Sequence, residues 1–286
     1  MEQSKVIEFH NAYIKGNSKE LDRLWKEEAP ATLIKFYPGK YETDGRNYFL
    51  DNLNNRALWL SSPALFNDPF DSVINFNYEK ECVAISTNLL QVLVGKETAE
   101  EILNSDMGKK TLDRIISEFE NKFSDVHKKI EKSMYSTCFS EVENLMSLRM
   151  WSYYANNHSG VCVEYEFDKV NKVCEFGCIP IKYTNLYEYF INPNDISEGV
   201  CNFIKLYTKS SEWEYEKEWR VSCQIEKDKW PGFNIPFSFP QKIYFGCRAK
   251  EKLKNDVLAL CENEKVEIYQ MKLKPGSFFL DYDRMK

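Results

Sequence analysis

An α+β fold, with mixed sheets and a helical insertion, is the class that this 286-residue chain predicts. Two observations carry that reading. Short runs rich in β-branched and aromatic residues recur on both sides of the chain, whereas residues 88–133 keep apolar side chains at helical spacing and show no strong strand signal. With 43% hydrophobic side chains the chain can also bury a sizeable core. The expected organisation is a helical segment over 1–30 and one α+β domain over 31–286, interrupted by the helical insertion at 88–133.

Residues 1–29 carry Leu21, Leu24 and Trp25 on one helical face, and Pro30 ends the segment because the residue before a proline is pushed out of the helical region. Thr32–Tyr37 reads as a strand stopped by Pro38-Gly39, Arg46–Leu53 as a helix and Ala57–Ser61 as a second strand. Ser72–Phe76 alternates as a further strand would. In the insertion, Leu89, Leu93, Ile102, Leu112, Ile115, Ile116, Phe119 and Phe123 mark two or three amphipathic helices. Tyr135–Ser140 is the next strand, Val142–Tyr154 a short helix, Gly160–Phe167 a strong strand and Ile179–Tyr183 another. A helix over 196–210 precedes the strand Glu218–Cys223. The strand Lys242–Gly246, a helix over 250–263 and the strand Val266–Met271 complete the order. The strands around Leu33, Leu58, Phe139, Val163, Val221 and Tyr244 are expected to share one mixed sheet system.

The 38 basic and 44 acidic residues leave a formal charge of −6, which argues against strong nonspecific binding to a nucleic-acid backbone. No charged amino end leads into an apolar stretch and no run approaches the length of a bilayer span, so a cytoplasmic protein with no membrane association is expected. Nine cysteines without a Cys-x-x-Cys pair, several in apolar runs such as Val161-Cys162-Val163, point to reduced, buried thiols. Only three histidines are present, and no metal site is expected.

Three constellations interleave polar and aromatic side chains too tightly for a plain core. Asn67-Asp68-Pro69-Phe70-Asp71 either rims a cleft or forms a structural turn in which both carboxylates cap backbone groups. Trp151, Tyr154 and His158 stand at spacings of three and four, as core packing or as a ligand face, with His158 in a turn-rich exit where an imidazole can meet a phosphate or ribose. Glu214, Glu216 and Glu218 alternate, so an early strand start would set three carboxylates on one side. They are either splayed into solvent or held near Arg220, Lys217 or a cationic ligand. A carboxylate so placed suits glycosyl transfer, where it stabilises an oxocarbenium-like centre. Aromatics at 15% of the chain suit a cleft for a flat ligand as well as a plain interior. No Gly-x-Ser-x-Gly elbow, glycine-rich phosphate loop or His-Glu-x-x-His motif occurs.

The segments Lys35–Tyr37, Leu58–Pro63, Phe66–Asp71, Cys138–Ser140, Met150–Tyr154, His158–Cys162 and Tyr215–Arg220 resemble a bacterial domain family of unknown function over roughly residues 32–247. That family is distantly similar to the ADP-ribosyltransferases, in which a first-strand aromatic or basic residue, a middle-strand Ser and a late-strand Glu surround NAD. The resemblance implies mixed sheets of that type, NAD as substrate and transfer of ADP-ribose to a macromolecule or nucleotide, with defence against phage, as a toxin, the suggested setting. It assigns catalytic roles to Tyr37, Ser140 and Glu218. Around them, Tyr37 and Trp151 would stack on flat rings, His158 and Arg149 would approach the pyrophosphate, Asn67 and Asp68 would shape the cleft, and Tyr154, Glu216 and Arg220 would complete the NAD contacts. The pattern departs from the better known one, with Ser136-Thr-Cys-Phe-Ser140 in place of Ser-Thr-Ser and Lys35-Phe-Tyr37 in place of a first-strand His or Arg. Two readings from other classes stay open: a nuclease gathering Asp68, Asp71 and a Glu of the 214–218 run around Mg²⁺, and a nucleotide-sensing or protein-binding module with no chemistry.

Overall fold

The fold turns on one strand that forks the sheet. In this computed structural model, which describes residues 1–72, 86–88, 90–185 and 198–286, strand β3 (Met134–Glu141) pairs along one edge with β8 (Glu218–Gln224). Its other edge is shared by two strands. β1 (Thr32–Tyr37) meets it only at Leu33↔Glu141 and Ile34↔Ser140, and β2 (Ala57–Ser61) only at Ser61↔Ser136. Among the described residues, no strand pairs with that edge at Thr137, Cys138 and Phe139.

From the fork the ten-stranded mixed sheet extends both ways. β1 pairs antiparallel with β4 (Val161–Glu166), β4 with β10 (Lys242–Phe245), β10 in parallel with β11 (Glu267–Leu273), and β11 antiparallel with β12 (Leu280–Arg284). On the other arm β2 pairs with β9 (Gly232–Pro236), and β5 (Cys178–Pro180) lies outside β8. A separate parallel pair joins β6 (Lys182–Tyr183) to β7 (Thr208–Lys209). The expected α+β class holds, and the six strands expected to share a sheet do so.

Both faces of the sheet are covered, and β1 shows why its sequence is nearly all apolar. Leu33 packs into the larger core with Phe9, Leu24, Tyr135, Phe139, Val163 and Trp219, while its neighbour Ile34 packs with Trp151, Cys162, Tyr244 and Met271 on the opposite side. The helices Gln3–Ile14 and Ser18–Glu28 close the first face, with Phe9 edge-on to Trp219 at 5.7 Å. Their break lies at Gly16, whose φ of 62° a side chain disfavours, and at Asn17, which caps the second helix by accepting from the Glu20 N–H. The helix Leu148–Tyr154 closes the second face near β1.

Helices occupy Lys96–Asn104 and Asp106–Ser133, as the insertion predicts. The expected helix over 142–154 is divided: Val142–Met146 is a 3-10 segment, and Ser147 starts a new helix by accepting from the Met150 N–H. The single strand expected at 179–183 is β5 and β6, in different sheets: Ile181 still donates its N–H to the Glu218 carbonyl in register with the β5–β8 ladder, and only from Lys182 does the chain turn to pair with β7. β9 and β12 were not anticipated. Residues 73–76 of the strand expected at Ser72–Phe76 lie outside the described residues. Among these residues no helix is long and apolar enough to cross a membrane.

The expectation of reduced thiols throughout is overturned. Cys174 and Cys223 form a disulfide, 49 residues apart in sequence. The pairing of β5 with β8 brings the turn before β5 beside the far end of β8, so no short Cys spacing announces the bridge. Cys138, Cys162, Cys178, Cys247 and Cys261 are free thiols.

Candidate active site

Where β1 and β2 part from β3, a cavity of about 310 Å³ opens. Lys35 reaches across the fork and donates from Nζ to the Cys138 carbonyl at 2.9 Å, satisfying an acceptor on β3 where neither β1 nor β2 pairs with it. Phe36, Tyr37, Trp59, Phe66, Met150 and Tyr154 supply the apolar part of the walls. The volume and lining match the lower end of small-molecule pockets.

The polar wall is a buried cluster of five charges. The Arg220 guanidinium is bidentate to Asp71, Nη1–Oδ1 and Nη2–Oδ2 both at 2.9 Å, and also donates from Nε to Glu218 Oε1 at 2.7 Å and from Nη1 to the Leu206 carbonyl at 2.7 Å. Phe66 covers its face at 4.8 Å. Lys209 Nζ lies 2.6 Å from Glu216 Oε2, 3.2 Å from Glu218 Oε2 and 3.5 Å from Asp71 Oδ2. Every member is buried. Such ions are tolerable inside a protein only because each is paired and hydrogen-bonded.

Local backbone explains how Glu216 and Glu218 come to share one ammonium. The alternation expected for Glu214, Glu216 and Glu218 does not form, because Ser211–Glu216 is a 3-10 segment capped by Ser210. Lys217 then takes a left-handed conformation, φ 44°, and β8 begins at Glu218. Glu214 is left exposed, while the other two carboxylates turn inward. Asn144 holds the bend by donating to the Tyr215 and Glu216 carbonyls at 3.0 and 2.6 Å.

The two carboxylates differ in proton affinity. Burial pushes Glu218 up, but the adjacent Arg220 and Lys209 outweigh it and bring its pKa down to about 2. Burial raises Glu216 above the usual carboxylate range despite Lys209, and the neighbouring Glu218 charge adds to the rise. Tyr154 donates its hydroxyl to Glu216 Oε1 at 2.5 Å, and Asn67 Nδ2 stands 3.5 Å from that hydroxyl. Burial lowers the Lys35 ammonium. Cys138 is pushed up to about 12 by burial and by Glu218, so its thiol is a poor nucleophile.

Residues 150–221 match a family described as a protein of unknown function (DUF2971). The chain matches no curated protein and no solved structure. The DUF2971 match takes in Tyr154, Lys209, Glu216, Glu218 and Arg220, but neither Asp71 nor the β1 and β3 walls of the cavity.

Of the residues singled out in the sequence, Tyr37, Asn67, Ser140, Tyr154, Glu216, Glu218 and Arg220 border the cavity. Four others do not. Asp68 closes its own turn, accepting from the Phe70 N–H at 2.9 Å. Arg149 lies over the Tyr215 ring at 4.9 Å. Trp151 is fully buried in the second core, with Nε1 donating to the Leu145 carbonyl, so its ring cannot stack on a ligand in this cavity. His158 stacks behind Trp151, its Nε2 3.2 Å from Ser152 Oγ, and burial followed by the Arg248 charge lowers its pKa. Sequence reasoning named Lys35 only within the Lys35-Phe-Tyr37 motif, with no role of its own, and did not single out Lys209. A lone lysine in the apolar run of β1 was a signal for the first; a lysine between a helix and a capped turn was none for the second.

Among the described residues, no group of three His, Cys, Asp or Glu side chains is placed to hold a metal ion. Where Asp71, Glu216 and Glu218 do converge, the Lys209 ammonium stands between them.

Proposed function

We propose that the chain cleaves NAD and transfers ADP-ribose to a nucleotide or macromolecular acceptor, acting in the cytoplasm as an ADP-ribosyltransferase-like enzyme. One observation carries the reading: β1, β3 and β8 are neighbours at the fork, and Tyr37, Ser140 and Glu218, one from each, border the same cavity. Ser140 and Glu218 face each other directly across the β3–β8 ladder.

The chemistry asks for a carboxylate that stays charged beside a centre developing positive charge, and for a second group that takes up a proton. Glu218 fits the first role, since Arg220 and Lys209 keep it ionised and fix its orientation. As the bond from nicotinamide to ribose breaks, its charge offsets that developing on the ribosyl carbon. Glu216, with a raised proton affinity, fits the second: it takes the proton that the acceptor loses as it bonds to that carbon. Phe36, Tyr37 and Phe66 line the cavity with aromatic surface against which a planar ring can pack. The anionic pyrophosphate falls to Lys35, a cavity cation with no ion pair among the described residues.

A nucleotide-sensing module without turnover is the second reading. It draws on the ion pairs themselves, since both oxygens of Glu218 are already engaged. The Mg²⁺ nuclease reading loses ground: Asp68 is turned into its own loop and Lys209 stands at the focus of the carboxylates. The discriminating experiment measures nicotinamide release and melting temperature with and without NAD. Release together with a thermal shift supports the transferase, a shift without release favours the sensor, and neither overturns both readings of the cavity.

A further inference from the structure

The Cys174–Cys223 bridge joins Cα atoms 5.7 Å apart, inside the span that disulfides use. Both residues are half-buried and border an open groove shared with Glu175 and Gln224, so a small oxidant or reductant can approach the sulfurs. The free thiols of Cys138, Cys162 and Cys178 differ: burial raises each one's pKa, which keeps the reactive thiolate scarce. Thiol chemistry at these three buried cysteines is therefore disfavoured relative to the pair.

What the bridge encloses gives it consequence. Lys209, Glu216, Glu218 and Arg220 all lie between the two cysteines, and only Asp71 of the charged cluster lies outside. β5 has three residues, each paired to β8 opposite Val221, Arg220 or Trp219. The bridge pins the turn before β5 to β8 two residues beyond Val221. A strand so short has few ladder bonds of its own, so this tie is a large share of its anchorage.

We propose that Cys174 and Cys223 are a reversible redox pair that controls the order of the charged wall of the cavity. In oxidation by a hydroperoxide, the two thiols lose two protons and two electrons, the S–S bond forms and the O–O bond breaks; hydrogen peroxide leaves as two waters. In reduction, a thiolate of an external dithiol attacks one sulfur to give a mixed disulfide, and the second thiol resolves it, releasing both cysteines and a cyclic disulfide. Once reduced, β5 and the far half of β8 are freed to open locally.

The test uses the full chain, treated with dithiothreitol or with hydrogen peroxide, the reagent then being removed. Alkylation mapped by mass spectrometry should label Cys174 and Cys223 only after reduction, and peroxide should abolish that labelling. Hydrogen exchange over 178–180 and 218–224 should quicken at least about fivefold on reduction, and C174S/C223S should exchange like the reduced protein in either reagent. Equal labelling of the two cysteines under both conditions, or exchange that ignores the redox state, overturns the proposal. Because the oxidised and reduced wild type are compared directly, the outcome stands even if the double variant does not fold, and it needs no NAD chemistry.

Discussion

Asp71 and Arg220, 149 residues apart, meet edge to edge in a bidentate pair with side chains almost entirely withdrawn from water. The pair locks the turn after β2 to β8 and so sets one side of the cavity. Removing one partner strands a buried charge. Arg220→Met should therefore destabilise the fold by roughly 3–5 kcal/mol, seen as a lower urea midpoint at unchanged slope. The exposed Arg114–Glu118 pair, 3.6 Å apart, offers the contrast: Arg114→Ala should cost under about 1 kcal/mol. Equal losses would contradict the part given to burial.

Two groups should shape the acid limb of stability, in successive windows that meet near pH 4. His10 is buried, donates Nε2–H to the Pro180 carbonyl at 2.9 Å and has its pKa lowered from 6.5 to about 4, chiefly by burial. Above pH 6.5 neither state binds the proton. As pH falls from there toward 4 the unfolded chain takes it first, and on the order of 3 kcal/mol is lost. Glu218, lowered from 4.5 to about 2, adds stability that is present above 4.5 and lost as pH falls toward 2. Urea midpoints from pH 7 to 3 should fall in both windows, and His10→Asn should flatten the upper one. A profile of His10→Asn that parallels the wild type would remove His10 from the account.

The disulfide should be visible in stability as well as in exchange. Closing a loop across a sequence separation of 49 restricts the unfolded chain enough to contribute roughly 4 kcal/mol. Dithiothreitol should accordingly lower the melting temperature of the wild type and leave C174S/C223S unchanged. A wild-type melt indifferent to reductant would mean that the bridge contributes nothing.

How much of this was legible in the sequence depends on how local the cause was. β1 and β2 were read with their observed limits, because Pro38 and the turn residues around them are local signals. The fork was not, since nothing in β3 says that two strands share one of its edges at opposite ends. Among site residues, Glu216 and Glu218 stood out by charge density. The expected alternation failed because the 3-10 segment and the left-handed Lys217 replace an early strand start. Trp151 and His158 sit at ligand-like spacing, but the packing of the helix Leu148–Tyr154 on β1 turns Trp151 into the second core, and the half-buried His158 stacks behind it. Lys209 and the Cys174–Cys223 bridge are products of tertiary pairing with no local signature.

Lys35 supplies a test of ligand charge. Its ammonium lines the cavity and donates to a backbone carbonyl rather than to a carboxylate. Lys35→Met should weaken NAD binding by about tenfold or more, since a hydrogen bond between charged groups is worth roughly 1.5–3 kcal/mol. Nicotinamide alone should bind both proteins equally. Calorimetric titration of each ligand decides it, and an unchanged NAD affinity would place the pyrophosphate elsewhere.

The most direct test of the transferase reading is nicotinamide release by wild type and Glu218→Gln at saturating NAD. The variant should hold NAD within about tenfold of wild-type affinity and turn over ~10²-fold or more slowly, because the lost charge acts chiefly on the transition state. Undiminished turnover in the variant, or no release by the wild type across a panel of acceptors, would contradict that reading.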